Sequence, residues 1–412
     1  MAAKKETDRT DEELRAQAKE AALETFFTKG YTKSTADAIA KKMRVSKKTL
    51  YRLFPSKEDL LRAVAVDVVH EIEEITDKLY NDHARPINER VAALVTQVSP
   101  HYARIRSPRI LRDIQRNAPL IWSELEVWRQ SRYAKFRHII DDGIKQGEIR
   151  TDISIEDILT VYSVMLNKCM DHAVLDDSDV TPLELYRGFM DVYFRGILVS
   201  SISLSYDVYP SVITQTKDEV LTAAESLFFR FGYSKTTTEE IAREAGISKR
   251  TMYKRFSKKS DIAIAVLRQA ALDVKGLTDS LRYDSQDSYI SNLQALVLGY
   301  KSALGRFSAH FLHDLELSSP SDYRSMLRWR RRLITSEMTR ALTMGQHIGL
   351  VRHDLHVPST VLLIRIAIKN LLLPLEGALE STISVPALNV VCSVIFAGIS
   401  PRTTRSPLQP TH

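Results

Sequence analysis

Between Lys41 and Lys57 the chain carries seven cations and no acid, and between Ala245 and Ser260 six cations and again no acid. A helix face that serves only solubility mixes charge signs, so one-signed stretches of this length point to a polyanion. Each phosphate neutralised by lysine or arginine releases condensed counterion, giving affinity that falls steeply with salt. Catalytic patterns are missing by comparison: the sequence holds no HExxH, P-loop, GxGxxG, GxSxG or paired cysteine ligands. Asp171 and His172, or His313 and Asp314, are adjacent on helices and so point about 100° apart, which does not make a catalytic pair. No enzyme activity, metal or cofactor is expected.

The two basic stretches belong to a repeat. Residues 20–64 and 222–266 align at a constant shift of 202 without a gap, and 19 of 45 pairs are identical. Phe26/Phe228, Phe27/Phe229, Gly30/Gly232, Tyr31/Tyr233, Ser46/Ser248, Lys47/Lys249, Thr49/Thr251, Tyr51/Tyr253, Phe54/Phe256 and Lys57/Lys259 all keep their spacing. In the first copy Thr35 precedes a short helix from Ala36 to Lys42, Arg44-Val45 form a turn, and Ser46 caps a second short helix from Lys47 to Phe54. In the second, Thr237 caps Thr238 to Glu244 with Glu240 at the capping-box position, Gly246-Ile247 turn, and Ser248 caps Lys249 to Phe256. Two short helices across a tight turn are the pattern of a helix-turn-helix. Phe26, Phe27, Tyr31, Ile39 and Phe54, with their partners, read as the core that holds each unit.

The repeat continues with more drift. Asp113, Pro119 and Trp128 match Asp314, Pro320 and Trp329 at a shift of 201, and the turn Gly147 to Asp152 matches Gly349 to Asp354 at 202. Apolar residues recur at helical spacing and no segment shows sustained period-two alternation, so the chain reads as all-α. Only 14 glycines in 412 residues, about half the usual ~7%, argue against phosphate-cradling Gly-rich loops. Cys169 and Cys392 have no ligand-like spacing, the N-terminus has no apolar signal core, and Val361 to Leu375 is interrupted by Arg365, Lys369 and Pro374. A cytoplasmic protein without a membrane span is expected. The net charge of +7 is concentrated in the repeats: residues 1–64 carry +5, residues 211–267 carry +3, and the remainder sums to −1.

The segments VSKKTLYRLFPSKEDLL and ISKRTMYKRFSKKSDIA resemble the recognition helix and following turn of the tetracycline-repressor (TetR) family of transcriptional regulators, and the resemblance covers both halves. It implies two tandem units, each a three-helix DNA-binding head with a helical ligand and dimerisation body, packed as a pseudo-two-fold pair. The domains it implies are 13–62 and 63–205, then 212–264 and 265–400, with disordered tails at 1–12 and 401–412. By the same resemblance Thr35, Tyr51 and Lys57, and Thr237, Tyr253 and Lys259, contact phosphate. Lys47, Lys48 and Thr49, and Lys249, Arg250 and Thr251, read base edges behind the Ser46 and Ser248 caps. The sequence departs from the family at Arg44, where a turn glycine is usual, and at Lys258, which replaces the helix cap Ser56 and implies a weaker or shifted helix start.

A duplicated head implies double-stranded DNA with two half-sites as partner. Lys48 differs from Arg250 and Leu53 from Arg255, so the expected operator is an imperfect inverted repeat, bound by one chain as a covalent pseudo-dimer or by a homodimer. Ile155 to Val174 with Pro182 to Ser203, and Pro358 to Ala378 with Val385 to Ile399, are the expected interface helices. For the bodies, the family analogy implies a small-molecule effector pocket using Tyr102, Trp122, Trp128, Tyr162 and His172 in the first and Tyr300, His310 and Trp329 in the second. Taken singly, each of these residues reads more readily as packed core or interface. The run Arg328 to Arg332 reads as a solvated face or as a contact for an acidic surface. A DNA-associated architectural protein without an effector is the second functional reading.

Overall fold

The structure is a computed structural model that describes residues 10–105, 108–169, 171–175, 178–197, 218–279, 309–371, 393–395 and 397–398, with residues 289, 292, 296 and 299 between them. The chain is all-α and divides into two compact units, residues 1–200 and 201–412. Among the described residues no helix is long and apolar enough to cross a membrane.

The first unit begins with α1 (Asp11–Lys29), α2 (Ala36–Met43), α3 (Lys47–Leu53) and α4 (Lys57–Tyr80). Thr10 starts α1 two residues before the expected domain edge. Its hydroxyl accepts from Glu13 N while Glu13 reaches back to Thr10 N, closing a capping box. Leu14, Ala18, Ala21, Ala22, Thr25 and Phe26 form the buried stripe of α1 and meet Ile39, Leu50, Leu53 and Leu60 from the next three helices. α4 runs without a break across residue 62, and the same core continues into Ile110, Ile114 and Ile121. Head and body of this unit therefore share one apolar core instead of meeting at a linker.

The body consists of α5 (Ile87–Ala103), α6 (Pro108–Asn117), α7 (Pro119–Lys145), α8 (Ile155–Cys169), the short α9 (His172–Leu175) and α10 (Pro182–Ile197). α10 packs on α5 and α8, and α7 on α4 and α8. The expected interface helices of this unit thus pack within it, as α8 with α10. Arg90 on α5 is 1% exposed; its Nε and Nη2 donate to the carbonyls of Leu79 (2.8 Å) and Tyr80 (2.6 Å) at the end of α4. These are carbonyls a helix end leaves without an internal partner.

The second unit repeats the plan with α11 (Glu219–Phe231), α12 (Thr238–Glu244), α13 (Lys249–Arg255), α14 (Lys259–Asp279), α15 (Ala309–Ser318), α16 (Pro320–His347) and α17 (Val357–Leu371). The tail 401–412 and most of the expected helix 385–399 lie outside the described residues.

The repeated turn seen in the sequence has a physical reason. Arg150 donates to Gly196 O at the end of α10 and pairs with Asp152, while Arg352 donates to Gly398 O (3.0 Å) and pairs with Asp354. All three positions keep the shift of 202. Glu148 adds a cap for α5, accepting from Ile87 N at 2.8 Å. The glycines one turn upstream make room for this packing. A Cβ on Gly143 would lie 2.5 Å from Ile149 Cδ1, and one on Gly345 would fall inside the Tyr289 hydroxyl and 2.5 Å from Val351 Cγ2. Gly345→Ala is therefore expected to destabilise the second unit by about 1–3 kcal/mol through overpacking, despite alanine's better helix propensity. Urea unfolding checks this, and an equal or higher midpoint would contradict it.

Candidate nucleic-acid interface

Each head builds the same motif from local signals. Thr35 Oγ1 accepts from Ala38 N at 3.2 Å to start α2, and Ser46 Oγ accepts from Thr49 N at 3.0 Å to start α3. Thr237 closes a capping box with Glu240 on α12, and Ser248 Oγ accepts from Thr251 N at 3.1 Å. The hydroxyls of Ser46 and Thr49 lie 2.8 Å apart, as do those of Ser248 and Thr251. The turn residues share a left-handed backbone, with φ of 59° at Arg44 and 66° at Gly246. Arg44 is the one non-glycine residue at positive φ among the described residues, so the sequence departure there is absorbed as local strain without a change of geometry. Nothing lies within 4 Å of where a Cβ on Gly246 would be. Gly246→Ala is thus expected to cost about 1 kcal/mol from the backbone alone, and Arg44→Gly to relieve a similar strain, read as opposite shifts in thermal midpoint.

Between caps and turns, α3 and α13 each turn an apolar side inward and a polar side outward. Leu50 and Leu53 are buried in α3 and Met252 in α13, while Lys47, Lys48 and Tyr51, and Lys249, Arg250, Thr251 and Tyr253, are exposed. Tyr51 and Tyr253 are 42% and 44% exposed, with Lys47 and Lys249 over their rings. Tyr253 also hydrogen-bonds the Thr238 hydroxyl at 2.9 Å.

The exposed cations sort into two kinds. Lys47 pairs with Asp37 at 2.9 Å, which raises its pKa by hydrogen bonding and charge attraction, and Lys249 pairs with Glu239 in the same way. Among the described residues neither Lys48 nor Arg250 forms an ion pair. Both side chains are exposed on the outward side of their helices with no ion pair to break. Leu53 and Arg255 are a different matter: Leu53 is 2% exposed in the core, and Arg255 pairs with Asp218 at the start of α11. That sequence difference therefore falls away from the outward face, and the asymmetry between heads rests on Lys48 and Arg250.

Lys57 and Lys259, both expected at phosphate, are each tied inward. Lys57 Nζ donates to the carbonyls of Tyr31 (3.0 Å) and Ser34 (3.3 Å), and Lys259 Nζ to those of Tyr233, Ser234 and Thr236. Each ammonium lies 4.3 Å from a tyrosine ring centroid, and burial pushes the Lys259 pKa down. They clamp the turn after the first helix of each head. The replacement of Ser56 by Lys258 does not shift the helix start: α14 begins at Lys259, with Asp261 accepting from Lys258 N and the Ser257 hydroxyl.

The same turns join each head to its body. Asp113 on α6 accepts from Thr32 N at 2.7 Å and from the Thr32 hydroxyl, and Asp314 on α15 accepts from Ser234 N at 3.2 Å. A Cβ on Gly30 would come within 3.0 Å of the Asp113 carboxylate.

Behind α6 lies a cavity of about 220 Å³. Leu111 and Ile114 of α6 and Phe26 and Phe27 of α1 form one side, so two residues assigned to the head core also wall a body cavity. Four sequence-predicted residues meet there: Tyr102, Trp122, Trp128 and Tyr162. Tyr102 stacks on Tyr186 and Tyr162 on Phe136 with centroids 4.1 and 3.9 Å apart. The side chains of His172 and His310, and all of Tyr300, lie outside the described residues; Trp329 lies under Arg268. The Arg328 to Arg332 run divides by face, with Arg328 and Arg332 exposed and Arg330 half-buried. The sequence reading missed Arg129 and Arg132, which line the cavity beside His101. A signal existed: Trp122, Leu125, Arg129, Arg132 and Phe136 follow helical spacing, so two arginines interrupt the apolar stripe of α7.

Comparison with known proteins agrees with the geometry. The profile of bacterial regulatory proteins of the tetR family matches twice, at residues 20–64 and 220–266. The uncharacterized HTH-type transcriptional regulator YvaF of Bacillus subtilis (strain 168) is 22% identical over 163 residues, 40% of this chain and 85% of that protein. An uncharacterized HTH-type transcriptional regulator of Mycobacterium tuberculosis (strain ATCC 25618 / H37Rv) is 30% identical over 122 residues, 29% of this chain and 57% of its own length. Among solved structures, the ketosteroid transcriptional regulator KstR2 of Mycobacterium tuberculosis aligns over 47% of this chain and all of its own, at 21% identity and a TM-score of 0.30.

Proposed function

We propose that this chain, which matches the tetR-family profile in two places, is a DNA-binding transcriptional regulator of that family made of two tandem units, and that one chain reads both halves of an imperfect inverted-repeat operator, acting as a ligand-responsive repressor. The observation that carries the proposal is the motif built twice, cap for cap and turn for turn, with Lys48 and Arg250 left unpaired at equivalent places on α3 and α13. Two-fold readers place their recognition helices one DNA turn apart, about 34–36 Å, and a covalent pair removes the concentration dependence of assembling them. The apolar cavity favours an effector over a purely architectural role. It shares α6 with the Asp113 tie to the head, so a ligand that displaces α6 bears directly on the turn that α1 and α4 enclose.

Selection of bound sequences from random duplex by the full-length chain, with the mass of the bound species measured alongside, tests the reading. One chain on an imperfect inverted repeat supports it; two chains on a longer site would replace the pseudo-dimer with a dimer of chains; no enriched motif would remove base reading from at least one head. On the selected duplex, Lys48→Ala and Arg250→Ala are each expected to relax specificity in one half-site only, by about 1–3 kcal/mol. If Lys48→Ala disturbs both half-sites equally, the one-chain arrangement is wrong.

A further inference from the structure

The cavity of the first unit is apolar on most sides, yet two guanidinium N–H groups of its lining arginines are buried without an acceptor: Arg129 Nε and Arg132 Nε. The side chains concerned are 14% and 9% exposed. His101, also 9% exposed, adds a buried Nδ1 without a hydrogen bond. Buried donors without partners are uncommon and mark a place where an acceptor is absent or arrives from outside. No aspartate or glutamate lines the cavity. The acids nearby already have partners: Glu126 pairs with Arg129 Nη2, Asp77 with Arg132 Nη2, Glu73 accepts from Trp128 Nε1 and lies 3.8 Å from Arg132 Nη1, and Glu71 lies beside His101 and Arg104. Those pairs use the Nη nitrogens and leave the two Nε–H groups.

We propose that this cavity takes a small amphipathic monocarboxylate, its carboxylate accepting from the Nε–H groups of Arg129 and Arg132 and its hydrocarbon body resting against Phe26, Leu111 and Ile114. A guanidinium edge fits a planar carboxylate with paired hydrogen bonds, and charge-assisted bonds of this kind are about twice as strong as neutral ones. An amine would bring a third cation beside two arginines. An alcohol of the same skeleton would offer one neutral oxygen in place of two charged ones and gain no charge pairing. The apolar sides supply the remaining affinity by desolvation, as in small-ligand sites with few polar anchors. The proposal deepens the effector reading above and rests on it only for the regulatory consequence.

The test is calorimetric titration of the full-length chain with octanoate, 2-naphthoate, octan-1-ol and octylamine. At least one acid is expected to bind ten-fold or more tightly than octan-1-ol, with octylamine weakest. Arg129→Met keeps much of the side-chain volume and is expected to lower acid affinity at least ten-fold while octan-1-ol is held as before, which shows the cavity intact. Arg129→Gln gives an independent reading should the methionine variant fail to fold, and is expected to shrink the preference for acid over alcohol by a similar factor. Equal affinity for acid and alcohol, no acid binding, or an unchanged preference in Arg129→Gln would overturn the proposal. The selected duplex is titrated in parallel with and without acid. Acid that binds without changing DNA affinity would leave the ligand class standing and remove the effector role instead.

Discussion

Raising monovalent salt from 50 to 200 mM is expected to lower operator affinity by about 10³- to 10⁵-fold, because two heads together neutralise roughly six to ten phosphates and each releases counterion. The outward cations of both heads make this the largest effect anticipated for the protein: Lys41, Lys42, Arg44, Lys47 and Lys48 are exposed in one head, and Lys249, Arg250 and Lys254 in the other. The slope of log affinity against log salt also counts heads. Replacing Lys249, Arg250 and Tyr253 with alanine should remove most of one head's contacts and reduce the slope toward half, with the remaining half-site still preferred. Anisotropy titrations at four or five salt concentrations measure both slopes. A variant with an unchanged slope would mean that the second head never touched the duplex.

The second large effect concerns stability. Arg90→Met is expected to cost the first unit about 3–5 kcal/mol. Arg90 is fully enclosed and spends its guanidinium on the last carbonyls of α4, with Asp142 3.6 Å from Nη1. Removing it leaves buried carbonyls without a donor, and methionine fills the space but supplies no hydrogen. Trp122 and Trp128 report unfolding of this unit in a Trp329→Phe background, where they are the remaining tryptophans. A midpoint within error of the parent protein would show that water replaces the arginine without penalty. Since α4 carries Lys57 and Leu60 into the head, the variant should also lose operator affinity as the unit unfolds.

How far the sequence reached follows from the range of the forces involved. The heads were legible almost residue by residue: Thr35, Ser46, Thr237 and Ser248 stand as caps, Glu240 closes its box, and Arg44 and Gly246 occupy the same left-handed turn. Each of these is decided within four residues by backbone donors seeking a nearby oxygen or by the φ a side chain tolerates. Duplication strengthened the reading, because a spacing kept twice at a shift of 202 is hard to attribute to composition.

Where side chains end up was another matter. Lys57 and Lys259 look from sequence like free cations, and the structure spends them on carbonyls some 23 to 26 residues away. Leu53 and Arg255 are aligned residues with opposite destinations, one in the core and one on the surface. Arg90, Arg129 and Arg132 each lie on an amphipathic helix where an arginine normally marks the solvent side, yet α4, α5 and α7 enclose them together. The sequence alone determined the helices of the heads, their caps, the turn and the duplication, because local hydrogen bonding and periodicity settle those. Only tertiary packing decided which cations are spent, which arginines are buried and that a cavity opens beside α6, because burial depends on elements distant in the chain arriving at the same place.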